Sequence, residues 1–177
     1  MPPHLLFLCT GNAARSVMAG AAMANAAPNL RVETAGTFVV EGQPMSRRTR
    51  EALDRLGLRA DGHRSRQLQA SGLEGVDLVV AMAGEHVAYV RRTHPEAAAR
   101  TGTLRRLAGD LPTLGGGLAQ RVATLGLAEL ELEPWEDIPD PAGGEAPEFD
   151  ACAREVTELS RRLLATIEEA ASSDQRR

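Results

Sequence analysis

The sequence predicts an α/β fold, a three-layer α/β/α sandwich with a parallel sheet at its centre. Three observations carry this expectation. Leu5-Leu6-Phe7-Leu8 and Val76-Asp77-Leu78-Val79-Val80-Ala81 are short apolar runs of strand length, the second rich in β-branched residues. Strand-like and helix-like stretches alternate along the chain, the pattern of crossover units whose helices cover both faces of a sheet. A chain of 177 residues, 43% of them hydrophobic, can bury such a sheet within one domain, placed here at 1–171.

In chain order, the run at Leu5–Leu8 is the first strand, and Val17 to Ala27, rich in Ala and Met, is the first helix. Arg31-Val32-Glu33-Thr34-Ala35 alternates in polarity and stops at Gly36, as a second strand would. Met45 to Gly57 is helical, with Arg50, Glu51, Asp54 and Arg55 opposite Leu53 and Leu56 and Gly57 closing the end. Asp61 to Leu68 is a polar turn leading to a short strand. Val76–Ala81 is a buried strand, Gly84 to Thr93 a helix, and Leu104 to Leu111 a short edge strand or loop. The glycines 115–117 break the chain before an amphipathic stretch, Leu118 to Leu132; residues 111–133 are expected as an insertion or a lid. Trp135 to Gly144 is a loop dense in Pro, Gly and Asp. Phe149, Val156, Leu159, Leu163 and Ile167 then mark a long amphipathic last helix, followed by a frayed tail at 172–177.

Aromatic residues make up only 3% of the chain, so Leu, Val and Ala must fill the core. A net charge of −4 gives no reason to expect a nucleic-acid partner. No apolar run has the length of a membrane span, and no leader is read before Cys9. Two cysteines, Cys9 and Cys152, do not make a disulfide framework, and no ligand spacing suggests a metal. A reducing, cytoplasmic location, a monomer, no membrane partner and no cofactor are the expectations.

The chemistry gathers at Cys9-Thr10-Gly11-Asn12-Ala13-Ala14-Arg15-Ser16, between the first strand and the first helix. A loop entering a helix amino terminus turns backbone N–H groups toward one spot, where the helix dipole also favours an anion. Gly11 and Asn12 both tolerate the positive φ that such folding demands. Arg15 can hold two oxygens of a tetrahedral oxyanion through its planar fork. A Cys facing this cradle is expected to hold its thiolate, whereas a Cys ending a buried strand is otherwise a small core hydrophobe. The position fits too, since ligands of parallel sheets bind at the carboxyl ends of the strands. The local reading is a thiolate nucleophile beneath a bound phosphoryl group. Cleaving an ester this way needs an acid to protonate the leaving oxygen. Asp137 and Asp140 in the late loop are both available, and only Asp140 precedes a proline.

The Cys9–Ser16 string resembles the phosphate-binding loop of the low-molecular-weight protein tyrosine phosphatases, a superfamily that includes thioredoxin-linked arsenate reductases and protein arginine phosphatases. Further matches follow in order: Thr34-Ala35-Gly36-Thr37, His63-Arg64-Ser65-Arg66-Gln67, Met82 after the third buried strand, and Asp140-Pro141 before the last helix. The resemblance implies a four-stranded parallel sheet in the flavodoxin-like order 2-1-3-4. It implies Cys9 as a nucleophile that becomes phosphocysteine, and Thr10 to Ser16 as the phosphate-binding residues. Arg15 stabilises the transition state, and Asp140 is general acid, then base. Ser16 donates to the thiolate, and Asn12 holds the loop through Thr34 and His63. The implied partner is a phosphorylated protein or a small phosphomonoester.

The chain departs from the family at several points. Ala142-Gly143-Gly144 stands where many relatives carry the aromatic wall of a phosphotyrosine pocket, leaving Phe38 and Trp135 as candidate walls. Ala14 stands where a second loop Cys is common, and Ala83 where an acidic residue often follows Met82. Three other readings stay open. One is an arsenate reductase using an external thiol, since Cys152 reads as a core residue of the last helix. Another is a protein arginine phosphatase, although those carry Thr where this chain has Ala13. The third is an inactive phosphate-binding module.

Overall fold

The computed structural model of the chain describes residues 1–174. A four-stranded sheet forms the centre: β1 (His4–Cys9), β2 (Arg31–Gly36), β3 (Leu78–Ala81) and β4 (Thr101–Thr103), all parallel, in the order β2-β1-β3-β4. The helices are α1 (Arg15–Ala26), α2 (Arg47–Arg55), α3 (Gly84–Thr93), α4 (Leu104–Asp110), α5 (Leu118–Leu125) and α6 (Ala146–Asp174). The α/β class and the strand order are those expected.

The pleat of β1 divides the core. Leu5, Phe7 and Cys9 face the larger cluster, with Met18 of α1, Leu53 of α2, Leu107 of α4 and Val156 and Leu163 of α6. Leu6 and Leu8 face the other side, with Val90 of α3, Leu73 and Ala97. Every residue of β1 is buried, as a central strand covered on both faces requires. Cys9 is the last residue of β1 and is paired in register with Gly36, so the predicted loop leaves the sheet at the strands' carboxyl ends.

Several boundaries differ from expectation. The stretch from Leu104 is the helix α4 rather than a strand or loop. The edge strand is the short Thr101–Thr103, and Thr103 caps α4 by accepting from the Arg106 N–H at 3.2 Å. The Asp61–Leu68 turn leads only to a single bridge, between Gly36 and Gln67. The amphipathic stretch from Leu118 stops at Leu125 because Gly126 adopts the left-handed conformation, φ 62°. The last helix continues through Asp174, so 172–174 are not a tail; 175–177 lie outside the described residues.

The segment 111–133 does not cover Cys9 with its helix. Leu118 and Ala119 share a cavity with Met1, Pro3 and Asp77, at the amino end of the strands. The buried Arg121 ties the segment down, donating to the carbonyl oxygens of Gly116 (2.8 Å) and Leu111 (3.4 Å) and pairing with Glu169 of α6. The glycine run is thus clamped at Gly116 by a guanidinium.

Candidate functional site

The loop from Cys9 to Arg15 is held from outside by its carbonyl groups. The Cys9 and Thr10 carbonyls accept from the N–H groups of Thr37 and Phe38, each at 3.0 Å. The Asn12 carbonyl accepts from His63 Nε2 at 2.7 Å and Ser65 Oγ at 2.8 Å. The Ala13 carbonyl accepts from Thr49 Oγ1 of α2 at 2.9 Å. In a trans peptide the carbonyl and the following N–H point opposite ways, so carbonyls turned outward leave N–H groups turned into the loop. The amino terminus of α1 adds to this: its first turn has no acidic residue and no side-chain cap.

Asn12 is the only non-glycine residue at positive φ among those described, at 52°. Its buried side chain supports that conformation. Oδ1 accepts from the Arg66 N–H and Nδ2 donates to Ser16 Oγ, both at 3.0 Å. Ser16 Oγ, accepting from Asn12, has its own proton free to donate to Cys9 Sγ, 2.9 Å away. A hydroxyl so oriented stabilises a thiolate. His63 donates to a carbonyl, and burial lowers its pKa, so the ring is held neutral with its proton on Nε2.

Arg15 is 4% exposed and Cys9 is 3% exposed. Arg15 Nη1 donates to the Ile138 carbonyl and Nη2 to Asp140 Oδ2, each at 3.0 Å. Asp140 Oδ1 accepts from the Ala142 N–H two residues on, a turn that fixes the carboxylate ahead of Pro141. This loop is anchored at its base. The Ile138 N–H donates to the Met82 carbonyl at the end of β3, and the buried Glu136 accepts from Thr103 Oγ1 at 2.8 Å and pairs with Arg106. Asp137 faces elsewhere, accepting from the Gly84 N–H at the start of α3 at 2.7 Å.

Some predicted residues sit differently. Thr34 makes no hydrogen bond to Asn12: its carbonyl accepts from Arg66 Nε, and Arg66 is the residue that reaches Asn12. Gly11 is not at positive φ; Asn12 alone in the loop is. Phe38 lies beside the loop through its N–H, but its side chain is 84% exposed. Trp135 is 49% exposed and its ring is stacked by Arg106, 4.9 Å away. The aromatic ring that lines the cleft beside Ala13 and Ala14 is Phe149, in a space of about 600 Å³ shared with Ala142 and Arg48. Cys152 is buried among core residues, and burial pushes its thiol up to about 12, with no tendency toward a thiolate.

Some site residues carry little signal in the sequence. Helical spacing places Thr49 only within an amphipathic helix, and Ser65 and Arg66 stand out only through the motif match. His86 has one usable signal, a polar ring two residues into a helix that begins just past a strand's carboxyl end. Among the described residues no group of three or more His, Cys, Asp or Glu could hold a metal ion, and no helix is long and apolar enough to cross a membrane.

Gly36 explains why this strand must end in glycine. A Cβ there would overlap the Thr10 carbonyl oxygen and the Val39 side chain and lie 3.0 Å from the Asn12 nitrogen. Two of those atoms are loop backbone, which cannot yield without moving the cradle. Gly36→Ala is expected to cost about 1–3 kcal/mol and to weaken phosphate binding. Gly11→Ala, where nothing lies within 4 Å of the added atom, should cost less stability. Thermal unfolding of the two variants side by side checks this; equal melting temperatures would remove the argument.

The family model described as low molecular weight phosphotyrosine protein phosphatase matches residues 4–173. A protein-arginine-phosphatase of Geobacillus stearothermophilus is 36% identical over 122 residues, 66% of this chain and 82% of that protein. A low molecular weight protein-tyrosine-phosphatase of Streptomyces coelicolor is 32% identical over 183 residues, 96% of each chain. The solved structure of the YwlE arginine phosphatase from Geobacillus stearothermophilus superposes with a TM-score of 0.77 at 30% identity, over 95% of this chain and 94% of that one.

Proposed function

The chain belongs to the low molecular weight phosphotyrosine protein phosphatase family, and from that premise we propose that it hydrolyses phosphotyrosine on protein through a phosphocysteine on Cys9. One observation carries the reading: the Cys9 sulfur lies against the Ser16 hydroxyl at the amino terminus of α1, while Arg15 from the same loop pairs with Asp140. The Cys9 thiolate attacks phosphorus, and the P–O bond to the leaving group breaks. Asp140 gives that oxygen its proton. Water then attacks phosphocysteine, Asp140 takes the water's proton, and the P–S bond breaks to return thiolate and inorganic phosphate. Thr10 to Ser16 bind the phosphoryl group through backbone N–H groups. Arg15 holds two of its oxygens as charge builds on them. Asn12, His63 and Ser65 keep the loop in the conformation that does this. The enzyme acts as a cytoplasmic monomer.

A second reading, phosphoarginine as substrate, is supported by what the Geobacillus stearothermophilus relatives are named for. Against it stands Ala13, which puts a methyl group where the sequence pattern of the arginine phosphatases has a threonine hydroxyl. Arsenate reduction would need an external thiol, since burial keeps Cys152 from serving as an internal relay.

The test is a substrate panel without added thiol. p-Nitrophenyl phosphate and a phosphotyrosine peptide should turn over, the peptide faster than one bearing phosphoarginine. A faster phosphoarginine reaction would shift the substrate to the second reading. No phosphatase activity, with arsenite formed from arsenate once an external thiol is added in a second arm, would replace the proposal by the reductase.

A further inference from the structure

His86 lies beside the phosphate loop on the side away from His63. It is the third residue of α3 and 1% exposed. Its Nε2 is 2.9 Å from Thr10 Oγ1 and 3.4 Å from Glu85 Oε1, and its Nδ1 is buried with no hydrogen-bond partner among the described residues. With Nδ1 left without a partner, the tautomer that carries the proton on Nε2 uses it in a hydrogen bond instead of burying a bare N–H. Thr10 Oγ1 is then the acceptor, which leaves the hydroxyl's own proton free to donate. A buried imidazole with one bare nitrogen is costly in a core. Here the ring touches the first residue after Cys9.

We propose that His86 is a positioning residue of the phosphate loop, donating to Thr10 and so fixing the Cys9–Thr10 end of the cradle. This rests on the phosphatase reading above. Asn12 is pinned by His63, Ser65 and Arg66 from one flank, and Thr10 is pinned by His86 from the other. The charged groups facing His86 are Arg15 of the loop, Asp137 and Asp140 of the chain before α6, and Glu85 on its own helix. Burial first, then Arg15, holds its pKa down to about 4, so the ring stays neutral and able to make this one donation throughout the neutral range.

The experiment compares His86→Ala, His86→Gln, His86→Asn and Thr10→Val with wild type. It measures kcat and KM for p-nitrophenyl phosphate, inhibition by inorganic phosphate, and melting temperature. A Gln amide nitrogen reaches about where Nε2 lies and an Asn nitrogen about where Nδ1 lies, so only the first restores the donor. His86→Ala and Thr10→Val should each lower kcat/KM and phosphate affinity by about five- to tenfold, the scale of one hydrogen bond. The double variant should be no worse than either single one. His86→Gln should recover most of the loss and His86→Asn little. Below pH 5, wild type should lose activity relative to His86→Gln as the ring gains a charge beside Arg15. Folded variants within about twofold of wild type, or His86→Ala and Thr10→Val losses that multiply, would overturn the assignment. If His86→Ala does not fold, Thr10→Val and the Gln/Asn contrast decide it. Wild type with no Cys9-dependent turnover would instead strike the phosphatase reading, before any His86 variant is measured.

Discussion

Cys9→Ser should abolish turnover of p-nitrophenyl phosphate and eliminate the burst of nitrophenol that accompanies phosphoenzyme formation. A serine hydroxyl keeps its proton at neutral pH, so a hydroxyl beside Ser16 is a far weaker nucleophile than a thiolate. The substitution is nearly isosteric at a buried position that touches Ser16 Oγ at 2.9 Å, so the fold should survive and phosphate should still bind. That combination, binding without chemistry, separates a lost nucleophile from a collapsed loop. Acid quenching of the wild type with labelled substrate should leave the phosphoryl group on Cys9. Retained activity in Cys9→Ser, or label on another residue, would remove the nucleophile from its assigned position.

Asp140→Ala should slow turnover by about a hundredfold or more, the usual scale for loss of a general acid. The size of the loss should depend on the leaving group. An aryl oxide of low basicity departs without a proton, so activated esters should suffer least and alkyl phosphates most. Asp137→Ala should behave differently. It removes the acceptor from the Gly84 N–H at the head of α3, a cap worth about 0.5–2 kcal/mol of stability, and leaves the rate largely intact. A greater rate loss in Asp137→Ala would reverse the two assignments. Asp140 is also the partner of Arg15, so Asp140→Asn, which keeps an oxygen for the guanidinium, distinguishes the lost proton from a released arginine.

These two experiments address residues on segments more than a hundred positions apart in the chain, and the way they meet shows how the information is divided. The Cys9–Ser16 loop was legible because its signal is local: a buried strand, residues tolerant of left-handed backbone, an arginine and a helix start follow one another directly. The parallel sheet was legible for the same reason, from apolar runs alternating with helical stretches. The short elements were not. Thr101–Thr103 is too brief to show a period of two, and the turn that begins α4 rests on the Thr103 hydroxyl rather than on any apolar pattern.

The sequence by itself determined the fold class and the position of Cys9 at the carboxyl end of the central strand, and it offered Asp140 and Asp137 as candidate acids. Only the tertiary structure decided which partners these residues meet: Arg66 rather than Thr34 on Asn12, Asp137 on α3, Phe149 rather than Trp135 in the cleft, and His86 on Thr10. The reason is range. Helix and strand preferences act over a few residues and are written in local spacing. A hydrogen bond spanning 76 positions, as between Thr10 and His86, exists only because crossover connections bring the end of β1 beside the start of α3.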